Sequence, residues 1–326
     1  MPTHAQGAPL PSDARTSDGL TPVIEIGGTH VTAALVDCAA GLVRPETVRH
    51  AYLDAAAPAE DVLDPILRCA RGLGDRTGAH WGVAVPGPFD YARGIARFAG
   101  VGKFDKLHGT DVRHALGIGL PAADQKFRFI NDAHAFALGE WCAGAASGHG
   151  RVVGITLGTG VGSAFMVDGA LVDHGPLVPP EGHVHLLTLA GRPLEETVSR
   201  RAILSRYAAD RAVPPPTSHT DVREIAVRAR AGEPAAQRTF RDTFHALGTA
   251  LAPWLTRFHA EVVVVGGAIS NAWDLVAPPM RDGLEHAGAR PGIVLTRAQR
   301  PAEAALLGAA RIATCARPDD TGFGER

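Results

Sequence analysis

The chain has 326 residues, 45% hydrophobic and 20% charged, with a net charge of −2. That length predicts two domains rather than one core, and the near-neutral balance without a block of Lys or Arg argues against a nucleic-acid partner. Cys38, Cys69, Cys142 and Cys315 lie far apart with no C-x-x-C pair, which disfavours a disulfide framework or a cysteine zinc site and fits a reducing cytoplasm. No apolar run approaches the roughly 20 residues that cross a membrane.

Residues 1–21 are polar and Pro-rich without an apolar h-region, so a disordered leader is expected in place of a signal peptide. Residues 22–26 predict a buried strand closed by Gly27-Gly28, and 31–37 the returning strand. A helix follows over 59–73, then a strand over 81–90 that ends in a Pro-Gly turn. A short strand over 126–130 runs into a helix over 131–144 with Asn131 and Asp132 at its start. A second hairpin begins at Val152. Residues 192–209 predict one helix, 213–219 a loop, and 221–258 two helices broken near Gly232–Pro234. "EVVVV" (261–265) is an apolar strand stopped by Gly266-Gly267. Residues 292–298 form another strand and 301–316 a last helix with Pro at its start.

The two hairpins repeat one another. Slid by 131 positions, Ile26-Gly27-Gly28 falls on Leu157-Gly158-Thr159 and Thr32-Ala33 on Ser163-Ala164. Glycines between strands let backbone N–H groups approach a ligand with no Cβ in the way, which suits phosphate oxygens. One such turn is ordinarily just a tight hairpin. Two of them favour a pair of phosphate cradles, Gly27-Gly28-Thr29-His30 and Gly158-Thr159-Gly160. Gly266-Gly267, between a strand and a helix, offers bare backbone for a flat adenine or ribose. Other nucleotide motifs fail: Gly102-Lys103 is followed by Phe104, so the P-loop hydroxyl is missing, and no G-x-G-x-x-G opens a helix after a strand. A tandem α/β pair with an interdomain cleft is the expected architecture, with a small domain over 22–130 completed by the helix 301–316 and a large one over 131–300.

"EIGGTH…LVD", "GVAVPGPFD", "FINDAHAFALGEW", "GITLGTGVGSA", "VVVVGGAIS" and "AALLGAA" stand in the order seen in the ROK family of sugar kinases and repressors, which the chain resembles over roughly 22–312. The resemblance implies the actin-like ATPase (ribonuclease H-like) fold, ATP and Mg2+ as cofactors, a small-molecule sugar or cyclitol as partner, and a homodimer or homotetramer. It implies that Asp132 is the catalytic base that takes the proton of the primary hydroxyl. Asn131, Glu181, His183 and Glu195 become the other acceptor-binding residues, with His185 and Glu196 as alternates. A helix start also calls for a plain cap, a role either Asn131 or Asp132 suits.

Several departures surround the acceptor. "PPEGHVHLL" carries Glu181-Gly182-His183, one residue shorter than the family's E-x-G-H. The cysteine cluster for structural zinc is absent, so no zinc site is expected and something else must hold this loop. Glu25 stands where the family has Asp near Mg2+ and the γ-phosphate, and His30 where it has Lys or Asn. The loop 98–116 lacks the family's Asn and Trp, and offers Asp105, Lys106 or His108 instead. A kinase for the primary hydroxyl of a hexose, glucokinase-type, is the leading expectation. A C7-cyclitol kinase comes next, ahead of a non-catalytic sugar binder or a repressor, and the sequence leaves the donor open between ATP and polyphosphate. A repressor's winged helix is not expected in the short polar stretch before the first hairpin.

Overall fold

The computed structural model describes residues 19–120, 126–210 and 221–314, so the expected leader and the expected loop at 213–219 lie outside the described residues. Two compact units emerge. One takes the chain up to Ala135 and again from Ala305; the other is Phe136–Ala304.

The first unit begins with β1 (Thr21–Ile26), β2 (His30–Asp37), β3 (Leu42–Val43) and β4 (Arg49–Tyr52). There follow α1 (Ala59–Arg71), β5 (His80–Val85), the small hairpin β6 (Phe89–Asp90) and β7 (Ile95–Ala96), α2 (Val112–Gly119), β8 (Lys126–Asn131) and the start of α3 (Asp132–Ala143). Its sheet runs β3-β2-β1-β5-β8, with β4 on β2. The β1–β2 pair is antiparallel, and β1, β5 and β8 are parallel. Helix α1 carries Glu60 and Asp61 in its first turn and Arg68 and Arg71 in its last, as the helix dipole favours. Its buried stripe is Val62, Ile66, Cys69 and Ala70.

The second unit continues with β9 (Arg151–Leu157), β10 (Val161–Val167), β11 (Ala170–Leu171), β12 (Thr188–Leu189) and β13 (Arg192–Pro193). Next come α4 (Glu195–Val198), α5 (Arg200–Asp210), α6 (Val222–Arg230), α7 (Pro234–Phe258), β14 (Val262–Gly266), α8 (Trp273–His286) and β15 (Val294–Arg297). Its sheet runs β11-β10-β9-β14-β15. Val262–Val265 are wholly buried, which is why this parallel strand reads as an unbroken apolar run. Helices α7 and α8 pack closely because Gly248 lies on the Met280 carbonyl and Gly283 on the His245 carbonyl.

The last helix, α9 (Ala304–Thr314), belongs to the first unit. Gly82 of β5 abuts the Ala309 carbonyl, and Gly308 abuts that of Ala135, positions where any side chain would collide. The chain changes unit inside α3, after Ala135, rather than at residue 131 where the sequence suggests a boundary.

The repeated hairpin is real in space, with one amendment. In β1 and β9 the offset of 131 holds, and Thr21–Ile26 and Val152–Leu157 are alike buried except at Glu25 and Thr156, which are half-buried. In β2 and β10 the offset is 130. Ile26 pairs with Val31 but Leu157 with Val161, because the second turn is one residue shorter. Val31–Asp37 and Val161–Val167 are then alike buried except at their second and last residues, so Ser163 answers to Ala33 and not to Thr32. The expected helix over 192–209 is also interrupted. Ser199 is extended (φ −71°, ψ 162°), and its Oγ caps α5 by accepting from the Ala202 N–H at 3.3 Å.

Candidate active site

Parallel strands deliver their last residues to one edge. Glu25 pairs with Ala84 across β1 and β5, and Val85 with Asn131 across β5 and β8. Glu25, Asn131 and Asp132 therefore gather at the carboxyl edge of the first sheet, where open α/β sheets bind ligands. Glu25 is buried enough that its carboxyl is raised to about 7, first by desolvation and then by the Asp132 charge. Asp132 is also raised by burial, and is pulled back by the Lys103 ammonium and the Ala133 N–H. Its Oδ1 accepts from Ala133 N at 2.9 Å, and its Oδ2 makes no side-chain hydrogen bond among the described residues.

Asn131 does the work of a cap. Its Oδ1 accepts from Ala133 N at 2.9 Å and His134 N at 3.3 Å, and its Nδ2 donates to Tyr91 Oη at 3.0 Å. Tyr91 Oη in turn donates to the Val85 carbonyl at 3.3 Å. Burial raises the Tyr91 phenol, so it stays a neutral donor. The role as a free reader of a ring hydroxyl expected for Asn131 is thus narrowed to one Nδ2 proton, since an amide has two. Tyr91 and Lys103 are not legible in the sequence as site residues: one lies in the turn of the short β6–β7 hairpin, the other in a failed P-loop match.

The first glycine turn is closed by Gly27 N donating to His30 O at 2.8 Å, and Thr29 O accepts from Leu53 N at 2.8 Å. Gly28, Thr29 and His30 are exposed, with nothing packed over Gly28. His30 Nδ1 lies 2.7 Å from Thr29 Oγ1, and its ring stands edge-on to Tyr52.

In the second unit the turn Gly158-Thr159-Gly160 is braced from behind. Arg200 N donates to Gly158 O at 3.0 Å, and a side chain on Gly160 would strike the Glu195 carboxylate. Gly158 is open. A pocket of about 560 Å3 adjoins this turn, lined on its apolar side by Val222, Ala226, Ala268 and Ile269. Arg200 pairs with Asp221 at 2.9 Å on its wall, which holds the Asp221 carboxyl below the usual range. Gly266 is buried, with the Phe136 ring where its side chain would be; Gly267 is exposed at φ 81°, and a side chain there would strike the Leu157 backbone. Ala268, Ile269, Asn271 and Ala272, just beyond them, line the pocket.

Glu181, His183 and His185 form a separate cluster in this unit. Glu181 is exposed in the left-handed region at φ 55°, and its Oε2 is 3.7 Å from His183 Nδ1. The His183 and His185 rings are 5.0 Å apart. Burial, then His185, lowers the pKa of His183. Glu196 is spent at the surface on Arg192, 3.7 Å away. What holds this loop is Ser163, fully buried on β10: its hydroxyl donates to Gly182 O at 2.7 Å and accepts from Val184 N at 3.0 Å. Ser163→Ala leaves both groups unpaired, and a loss of about 2 kcal/mol in unfolding free energy is expected by urea denaturation. A loss under about 0.5 kcal/mol would show that the loop is held elsewhere. Asp105, Lys106 and His108 are exposed in the first unit, and Asp105 Oδ1 accepts from Val101 N at 3.1 Å.

Two α/β units with matching hairpin-led sheets, one with an acidic edge and one with a pocket beside its glycine turn, define the class of actin-like ATPase folds. The chain belongs to the ROK family, whose model matches residues 21–315. It is similar to the glucokinase of Streptomyces coelicolor, 28% identical over 90% of this chain and 98% of that one. The Thermotoga maritima glucokinase is 27% identical over 79% of this chain and 85% of its own length. Among solved structures, a ROK family glucokinase from Streptomyces griseus in complex with glucose and AMPPNP superposes with a TM-score of 0.72. It is 26% identical, with 90% of this chain and 99% of that chain covered. No described helix is long and apolar enough to cross a membrane.

Proposed function

We propose that this chain is a phosphotransferase with an alcohol acceptor, moving the γ-phosphoryl group of ATP to the primary hydroxyl of a hexose or hexose-like ring. The observation that carries this is Asp132: a carboxylate at the start of α3, on the carboxyl edge of three parallel strands. There it can accept the proton of an alcohol that attacks phosphorus. In a loose transition state most of the catalysis is positioning and charge neutralisation, and proton removal comes late. Glu25 is the residue that would face Mg2+. Its carboxyl is held protonated to about 7 by burial and by Asp132, a state that a divalent cation would reverse, so the site chemistry fits. Bound there, Mg2+ supplies neutralisation of the phosphate chain. Glu181, His183 and Glu195 are the remaining acceptor candidates.

The pocket beside Gly158 and Thr159 suits an adenosine in size and in its apolar lining. Ala226→Phe fills it, so KM for ATP is expected to rise about tenfold or more while KM for the acceptor stays within twofold. Equal effects on both would remove the nucleotide from this pocket.

Glucose is the first acceptor to test, and a C7-cyclitol with an exocyclic hydroxymethyl is the second. The cyclitol is favoured by one observation, that the departures from the family pattern cluster at the acceptor loops 98–116 and 179–195. A coupled ADP-release assay with glucose, mannose, N-acetylglucosamine and valiolone-type cyclitols separates them, run with ATP and with polyphosphate as donor. No turnover with any of these would overturn the function. Size-exclusion chromatography with light scattering tests the dimer or tetramer.

A further inference from the structure

In the first unit one phenol joins the ends of two strands. Val85 and Asn131, the last residues of β5 and β8, are paired in register. Tyr91 Oη donates to the Val85 carbonyl at 3.3 Å and accepts from Asn131 Nδ2 at 3.0 Å, so it bridges that pair. The directions follow from the groups themselves. A carbonyl only accepts, so the phenol must donate to Val85; its lone pair then faces Asn131, which has to answer with its NH2 and not its oxygen. The other end of the amide agrees, because Oδ1 accepts from Ala133 N and His134 N. One N–H of Asn131 Nδ2 is left without a partner among the described residues.

Tyr91 is itself held in place. It lies between β6 and β7 in a turn closed by Gly94 N, which donates to Asp90 O at 2.7 Å, and by Arg93 N, which donates to Asp90 Oδ1 at 3.0 Å. Arg113 of α2 grips the same turn. Its guanidinium donates to Ala92 O at 3.0 Å, to Arg93 O at 3.1 Å and to the Phe127 carbonyl of β8, and it lies over the Phe129 ring. Phe89 packs against both Tyr91 and Phe129, with centroids 5.4 and 5.3 Å apart. The turn is therefore fixed to β8, the strand that ends in Asn131. An amide fixed in this way before a ligand arrives saves part of the ordering cost of binding.

We propose that Tyr91 is a positioning residue of this site: it holds the Asn131 amide so that the one free N–H meets a hydroxyl oxygen of a six-membered-ring polyol, beside the hydroxyl that Asp132 activates. Without the phenol oxygen, Asn131 keeps its own oxygen on α3, but its Nδ2 loses the group that fixes the amide plane and the free N–H is no longer aimed. This rests on the kinase reading above for the role of Asp132; the orientation of Asn131 is a matter of binding and is measured without turnover.

The test is isothermal titration of the full chain with the same hexose and cyclitol panel, on native protein, Tyr91→Phe, Asn131→Ser and the double variant, followed by steady-state kinetics for any acceptor that turns over. Tyr91→Phe keeps the ring against Phe89 and removes only the oxygen. Asn131→Ser keeps a capping oxygen for α3 and removes the amide donors. Tyr91→Phe is expected to weaken binding of the best acceptor by about 3- to 10-fold, the range for one neutral hydrogen bond, with KM for ATP within about twofold. In the Asn131→Ser background the same change should alter acceptor affinity by less than about twofold, because Tyr91 acts through Asn131. A merely structural role would give equal losses in both backgrounds. Monodeoxy analogues supply the same comparison without a second substitution: the one that lacks the hydroxyl read by Asn131 should bind native protein and Tyr91→Phe alike. Unchanged acceptor affinity in Tyr91→Phe, equal losses in the two backgrounds, or no deoxy analogue that equalises the two proteins would overturn the proposal. Binding of the panel by native protein without phosphorylation would refute the kinase function and leave the Tyr91 measurement intact; binding of none of the panel would refute the acceptor class and this role with it.

Discussion

Asp132→Asn is expected to reduce kcat by about a thousandfold, within the range for loss of a positioned general base, while acceptor affinity changes by less than about fivefold. The substitution keeps the shape of the side chain and an oxygen for the Ala133 N–H, which Asp132 Oδ1 now accepts at 2.9 Å, so the start of α3 survives. It removes the only feature that an amide cannot supply, an acceptor for the proton of the attacking hydroxyl. Steady-state kinetics together with acceptor titration separate the two effects. Turnover above about a tenth of native would show that another group takes the proton, and lost acceptor binding would assign Asp132 to recognition instead.

Glu25→Gln is expected to stabilise the metal-free protein at pH 8 by up to about 3 kcal/mol and to make no difference near pH 4. The carboxyl of Glu25 holds its proton to about pH 7 in the folded protein but releases it near 4.5 when unfolded. Between those values the folded state binds more protons than the unfolded state. Its contribution to stability is complete below about 4.5 and is lost as pH rises through 7. Glutamine, neutral throughout, escapes that loss. The physical cause is burial, with the Asp132 charge second, so Asp132→Asn should shrink the same window. Urea denaturation of both proteins at pH 4, 6 and 8 measures it. Parallel pH profiles for native protein and Glu25→Gln would mean that Glu25 is hydrated and ionised in solution. The two substitutions also part company in catalysis. Glu25→Gln removes a charge set back from the hydroxyl, so its loss of kcat should depend on Mg2+ concentration, which that of Asp132→Asn should not.

Local patterns gave much of the architecture. Alternation and glycine punctuation announce both hairpins. The run Val262–Val265 can only be a strand buried on both faces, and Asn131-Asp132 after an apolar strand can only open a helix. Where the sequence misleads, a contact from elsewhere is the reason. The helical run 192–209 breaks at Ser199 so that Arg200 N can meet Gly158 O, a bond no periodicity encodes. Gly266 and Gly267 look alike in sequence, yet Gly266 is buried against Phe136 while Gly267 stays exposed.

The sequence by itself determined the family, the two hairpin-led sheets and the position of Asp132, because each of these is written in residues close together along the chain. Only the tertiary structure decided what surrounds Asp132. Glu25, Tyr91 and Lys103 are 107, 41 and 29 residues before it; parallel strands bring Glu25 and Asn131 to one edge, Tyr91 joins through Asn131, and the Lys103 charge acts on the Asp132 carboxyl. Charge and protonation follow from that gathering, since desolvation and Coulomb interaction depend on distance in space and not on separation in sequence.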